Sequence, residues 1–398
     1  MNNNRKHSEK TPAKQGVETA SPEPLKIGAS TPYDFSARNL TAYGGLLPVA
    51  TMLEKLGFEQ LVEETLSISR VTRVMPVYRF VLAMVLALYV GFSRLHHLRF
   101  LEREPMLTGI LKILRLPPQC TFWRFLASLH LTVAGQILRL QQTMSQRVWQ
   151  AAHVDLKTIT LDTDTTVHTL FGDQMGGRKS YNPKNRGKKS YQPILTFLAE
   201  TREYVAGELR NGDRPTGKQI ARHLEGVFAA VPKSAETIYA RADSGFYCNE
   251  AVEAYEKAGA RFIISARKTS RLVEGAENLI KEAKNDAGLT AHPSGRWSMN
   301  CIYFQLAMLA YNLNCWLMLF NREEEAKVET LGHTTLATAR LKFLFLAARI
   351  WRHAGRVGVS YSDHYAERSL FERLMTRLRS VATNENGFVP VISIALRC

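Results

Sequence analysis

The feature that most constrains this chain is a change in the period of its apolar residues. From about Gly44 to Ala152 they recur at three and four, as in Val49, Met52, Leu53 and Leu56, which is the spacing of packed helices. From about Asp155 the period becomes two. The alternation predicts strands over 157–162, 192–199, 203–209, 236–242 and 261–266. Helices are predicted over 216–230, over 249–259 and from about Gly275. Three strands in succession, followed by alternating helices and strands, describe a mixed sheet with helices on its faces.

Two of these strands run out onto aspartate. Thr158-Ile159-Thr160-Leu161 leads into Asp162-Thr163-Asp164-Thr165-Thr166. Thr237-Ile238-Tyr239-Ala240-Arg241-Ala242 leads into Asp243-Ser244-Gly245. Unpaired carboxylates are costly to bury, so such acids do not serve the core. Two of them set side by side by one sheet make a site for a hard divalent cation. Each segment has a plainer reading as a turn whose carboxylate caps backbone N–H groups. Asp162-x-Asp164-x-Thr166 also fits a phosphatase nucleophile motif with Asp162 attacking, although no GDGxxD-like loop follows it. A third acid, Glu277, lies in Gly275-Ala276-Glu277-Asn278-Leu279-Ile280-Lys281-Glu282-Ala283-Lys284. On a helix, Ala276, Leu279, Ile280, Ala283 and Ala287 form the packed stripe, and Glu277, Lys281 and Lys284 share an adjoining face.

The 398 residues suit two or three domains, and the formal charge of +16 favours a polyanionic partner. The expected division is a polar, disordered arm over 1–35, a helical DNA-binding domain over 36–152, a catalytic domain over 153–292, a helical region over 293–382 and a tail over 383–398. Twelve residues from Arg178 to Lys189 carry six cations: Arg178, Lys179, Lys184, Arg186, Lys188 and Lys189. As phosphate contacts they would make binding steeply salt-dependent. Arg340, Lys342, Arg349, Arg352, His353 and Arg356 fall on expected C-terminal helices. Five cysteines form no CxxC pair and read as reduced thiols of a cytoplasmic protein. Two apolar runs invite comparison with membrane spans. Residues 80–92 are too few, and 301–320 carry Gln305, Asn312 and Asn314, so both read as core helices and no membrane is implied.

The strand order matches the ribonuclease-H-like fold, with all-α regions on either side of the five-stranded sheet. Several further stretches resemble bacterial insertion-sequence transposases of the DDE type. They are Asp164-Thr165-Thr166, the Tyr181–Pro193 segment, Leu209-Arg210-x-Gly212, Arg241–Tyr247 and Glu277-Asn278-x-Ile280-Lys281-Glu282-x-Lys284. Leu40-Thr41-Ala42-Tyr43-Gly44-Gly45 and Leu309-Ala310-Tyr311-Asn312-Leu313 extend the likeness to most of the chain. The resemblance implies Asp164, Asp243 and Glu277 as the catalytic acids, with Asp162 as an alternative first acid. It implies two Mg²⁺ or Mn²⁺ ions, DNA contacts from Arg210, Lys281 and Lys284, and cleavage and strand transfer at the ends of a mobile element. The implied partners are terminal inverted repeats and target DNA, with a homodimer forming on the DNA. Two departures stand out. Ser270 and Val273 replace the expected Tyr and Arg, and only 34 positions separate Asp243 from Glu277, too few for the usual β-rich insertion. An internally deleted relic that binds DNA without cutting it is therefore the competing expectation.

Overall fold

The computed structural model describes residues 31, 36–68, 75–180, 182–264, 270–322 and 334–382, the side chains of 270–277 excepted. The expected arm over 1–35 and tail over 383–398 lie, but for Thr31, outside the described residues.

A short strand β1 (Leu40–Thr41) precedes six helices: α1 (Leu46–Lys55), α2 (Phe58–Thr65), α3 (Val77–Tyr89), α4 (Pro105–Ile110), α5 (Gln119–Ala127) and α6 (Thr132–Ala151). The sheet region follows. It comprises β2 (Thr158–Thr165), three short strands β3 (His168–Thr169), β4 (Arg178–Lys179) and β5 (Lys189–Tyr191), then β6 (Ile194–Leu198), β7 (Tyr204–Glu208), α7 (Gly217–Ala230), β8 (Thr237–Ala242), α8 (Asn249–Lys257), β9 (Arg261–Ile264) and α9 (Ser270–Asn285). The chain then forms α10 (Trp297–Asn321), α11 (Leu336–Ala339), β10 (Ala348–His353), β11 (Arg356–Tyr361) and α12 (Arg368–Ser380).

The central sheet has the order β7-β6-β2-β8-β9. β6 runs antiparallel to β2 and β7 antiparallel to β6, whereas β8 is parallel to β2 and β9 parallel to β8. Two hairpin-joined strands on one side and two helix-joined strands on the other give the mixed sheet expected from sequence. β2 runs three residues beyond the expected end, because its ladder with β6 continues to Thr165 opposite Ile194. Both Asp162 and Asp164 therefore lie inside the strand.

α10 is buried on all sides, from Met299 to Phe320 with few exceptions. Its amides have structural work. Asn312 Oδ1 accepts from Tyr204 N–H and its Nδ2 donates to Tyr204 C=O, both at 2.9 Å. Gln305 Nε2 donates to Gly207 C=O at 2.9 Å. The outer edge of β7 is thus closed by side-chain amides standing in for a further strand. Glu203, at the β6–β7 turn, accepts from Ser145 of α6 at 2.8 Å and from the indoles of Trp149 and Trp316 at 2.6 and 2.7 Å. Burial still raises its pKa above the usual carboxylate value. These contacts clamp α6 and α10 to the sheet, and one continuous apolar core runs from Leu46 to Leu378.

The C-terminal region differs from the all-helical expectation. Residues 348–361 form a β-hairpin, with His353 opposite Arg356 and β1 pairing alongside Ala348 and Arg349. Ala354 and Gly355 occupy the two turn positions with φ of 47° and 77°, the left-handed pair that matches strand twist. Arg349, Arg352 and Arg356 recur at three and four and mimic a helix face. The decisive signal is the alternation of Ile350, Arg352 and of Val357, Val359, with aromatic and β-branched residues throughout.

Candidate active site

β2 and β8 lie side by side in parallel, and their register sets Asp162 opposite Arg241 and Thr163 opposite Ala242. One further step along that register brings Asp164 level with Asp243. Side chains alternate along a strand, so Asp162, Asp164, Arg241 and Asp243 share one face. The contact between the inner pair agrees with this. Arg241 Nε donates to Asp162 Oδ1 at 2.5 Å and its Nη2 to Oδ2 at 2.7 Å. This two-pronged, charge-assisted pair occupies both oxygens of a carboxylate that is only 4% exposed. It also raises the Arg241 pKa.

The outer pair is differently placed. Asp164 is half-buried, and its Oδ1 accepts from Thr165 N–H at 2.6 Å. Asp243 is exposed at the entrance to a short 3₁₀ turn, with Oδ1 accepting from Gly245 N–H at 2.8 Å. The carboxylate comes close to that glycine: a Cβ at residue 245 would lie 2.8 Å from Asp243 Oδ1, so the exposed side chain would have to swing aside. Two carboxylates at the ends of adjacent parallel strands present oxygen donors of the kind that suits Mg²⁺ or Mn²⁺. Glu277 is the eighth residue of α9, and its side chain lies outside the described ones. Among the described residues no three His, Cys, Asp or Glu side chains converge.

Behind the acids, on the opposite face of the sheet, a chain of hydrogen bonds links three elements. Thr163 Oγ1 meets Thr196 Oγ1 at 2.8 Å, and Thr196 Oγ1 meets His223 Nε2 of α7 at 2.8 Å. Burial drives the His223 pKa down to about 3, so the ring is neutral at physiological pH. Sequence reasoning missed this support. A lone histidine on a helix carries no signal until the helix is packed, whereas Arg241 was detectable as the residue two before Asp243 on the same face.

α9 packs with Leu279, Ile280 and Ala283 buried, as its stripe predicts, and Ala287 just past its end is buried too; the side chain of Ala276 lies outside the described ones. Lys281 is exposed and Lys284 half-buried; burial first, then His292 and Lys284, hold the His168 pKa well below its usual value. Glu282 is buried and accepts from Leu336 N–H at the start of α11. In the basic segment, β4 and β5 pair through Arg178 with Ser190 and Lys179 with Lys189. Arg178, Lys179, Lys184, Arg186 and Lys188 are exposed, while Lys189 is half-buried and bonded to Asp173 at 2.8 Å. Arg210 departs from the expectation of a DNA-contacting cation. It is buried, donates to Gln219 Oε1 at 2.6 Å and lies 3.6 Å from Glu208. Gln219 in turn closes the capping box of α7 with Thr216, so Arg210 braces a helix start.

The five-stranded mixed sheet thus carries acids at the ends of its first and fourth strands in chain order. A family comparison gives the class: Transposase DDE domain group 1 matches residues 25–276 and 274–383, and the chain belongs to this family. No curated protein matches the chain. Among solved structures, a piggyBac transposase synaptic complex with hairpin DNA aligns over 88% of this chain and 87% of that one. The alignment has 10% identity and a TM-score of 0.36.

Proposed function

We propose that this chain is a DDE transposase that cuts DNA at the ends of a mobile element and joins the freed ends to target DNA. Asp164, Asp243 and Glu277 are its catalytic acids. The observation that carries the reading is the register of β2 and β8, which levels Asp164 with Asp243 while Arg241 engages Asp162. That pairing favours Asp164 over Asp162 as the first acid and leaves the phosphatase reading without a free nucleophile. Glu277 follows β9 on a helix whose buried stripe packs it toward the sheet. Lys284, two turns or ~10 Å further along that helix, lies by the strand that follows Asp164.

The donor set suits a pair of hard divalent cations, and when bound these activate the attacking oxygen and stabilise the leaving one. The protein's own residues do the rest. Asp164 and Asp243 hold their oxygens at fixed spacing because two ladders and the Asp162–Arg241 pair fix the strands. Gly245 N–H orients the Asp243 carboxylate. The exposed cations from Arg178 to Lys188, with Lys281, hold the phosphate backbone and shield its charge. Transposition joins two ends, which calls for two copies of the chain on the DNA.

The competing reading, a deleted relic that binds DNA only, is favoured by one observation. The two segments of the family match meet at residues 274–276, inside α9, and only residues 265–269 separate β9 from that helix, too few for a β-rich insertion. One experiment decides. Purified protein is incubated with Mg²⁺ and labelled DNA carrying the repeats that flank its gene. The transposase reading expects cleavage that Asp164→Asn, Asp243→Asn or Glu277→Gln each lower by at least a hundredfold. Tight binding with no cleavage by the unaltered protein establishes the relic.

A further inference from the structure

The hairpin β10–β11 stands in a sheet separate from the one that carries the acids. On β10, alternation places Arg349, Trp351 and His353 on one face, and the register adds their partners Ser360, Gly358 and Arg356. The other face carries Ile350 and Val359, which pack against the main core at the hairpin base. The first face therefore points outward, and from Trp351 to Val357 every residue is exposed. Trp351 lies directly over Gly358: a Cβ at that glycine would come within 2.1 Å of the indole. One ring face is thus seated on the backbone ladder while the side chain stays 41% exposed.

Between Leu346 and Ser362 the chain has three arginines and a histidine and no Asp or Glu. Among the described residues none of Arg349, Arg352 and Arg356 is paired with a carboxylate. A second copy of the same face would meet like charge. Cations flanking a rigidly seated indole fit a polyanion that also offers flat apolar rings.

We propose that this face is a second DNA contact, separate from the acids, in which Arg349 and Arg356 hold phosphates and Trp351 stacks on an unpaired base. It rests on the reading that the chain handles DNA, and it adds a preference for ends with a single-stranded extension. Base–aromatic stacking is tolerant of sequence and is available only where a base has left the duplex.

The test uses the full-length protein and two labelled DNA probes, a blunt 30-base-pair duplex and the same duplex with a short 3′ overhang. Affinity is measured by anisotropy across a range of NaCl. Arg349→Ala/Arg356→Ala is expected to lower the slope of log K against log salt by about 2 on both probes, close to one unit for each phosphate that is no longer neutralised. Arg349→Lys/Arg356→Lys keeps the slope. Trp351→Ala is expected to weaken overhang binding roughly tenfold and blunt binding little, with Trp351→Phe restoring most of the affinity. An unchanged slope in the double alanine variant overturns the phosphate contacts. Equal weakening of both probes by Trp351→Ala, unrescued by Phe, overturns the stacking. Binding of anionic lipid vesicles through the same arginines, with DNA binding unaffected, reassigns the face to a membrane surface. Failure of the unaltered protein to bind either probe counts against the transposase reading itself. A hairpin-only failure leaves cleavage and its dependence on Asp243 intact.

Discussion

Protonating His223 should loosen the strand that carries Asp162 and Asp164. Its Nε2 ends the chain through Thr196 to Thr163, and burial holds its pKa at about 3 against 6.5 for an exposed ring. The sign follows from that difference. The unfolded chain takes up a proton as pH falls through 6.5, whereas the folded protein takes it up only near 3. Stability is therefore fully present above pH 6.5 and is lost on acidification down to the folded value. Between pH 7 and pH 5 the loss is about 2 kcal/mol, and over the whole window it is about 5 kcal/mol. Urea unfolding of the unaltered protein and of His223→Gln at pH 7, 6 and 5 measures it. Gln keeps a polar group near Thr196 but cannot be protonated. The unaltered protein should lose about 2 kcal/mol more than the variant between the outer pH values. Glu203, which is buried, and Asp286, which is half-buried, have raised pKa values, act in the opposite sense and cancel in the comparison. Identical pH slopes for the two proteins would refute the linkage.

Further expectations follow from other contacts. Asp162→Asn leaves the partly exposed Arg241 guanidinium without its anion, and unfolding should show a loss of ~2 kcal/mol at most, since solvent compensates in part. The same variant should keep Mg²⁺-dependent cleavage at least in part, whereas Asp164→Asn abolishes it; complete loss in Asp162→Asn alone would reverse their roles. Asn312→Ala strips both partners from Tyr204's outward backbone groups and should cost about 2–4 kcal/mol in chemical unfolding, with faster amide exchange along β7. His292, with a pKa lowered to about 4 by burial, should give its own acid-linked loss between pH 6.5 and 4, seen as a smaller pH slope in His292→Phe.

Much of the central sheet was legible because its signals are local. Alternation marks each strand, the apolar stripe of α9 marks its buried side, and acids after β-rich runs mark strand ends. What sequence could not supply is register. Asp162 and Asp164 are two residues apart and chemically identical, and only the pairing of β2 with β8 sets one against a guanidinium and the other level with an acid. Arg210 illustrates the same limit, since its burial depends on where the start of α7 falls beside β7. The hairpin was hidden for a different reason: three arginines spaced like a helix face outweighed a two-residue turn whose first member is alanine, a poor left-handed residue. The amides of α10 were legible as evidence against a membrane span but not as the partners of an edge strand.

The short path from Asp243 to Glu277 bears on what the sheet can still do. In this sheet order β9 is the last strand, and α9 packs its stripe into the main core against β2, the strand that carries Asp164. The geometry of Asp164 and Asp243 is fixed by β2, β6 and β8 and by the Asp162–Arg241 pair, none of which lies in the segment where an insertion would sit. An insertion at that point would add surface without touching the two strand acids. On the proposed reading the DNA still needs cations beside those acids. The exposed cations Arg178, Lys179, Lys184, Arg186 and Lys188 offer them near β5, and the outward face of β10–β11 offers more from a separate sheet. If both are removed by alanine substitution and salt-dependent DNA binding persists, the phosphates are held elsewhere and the helical regions become the contact surface.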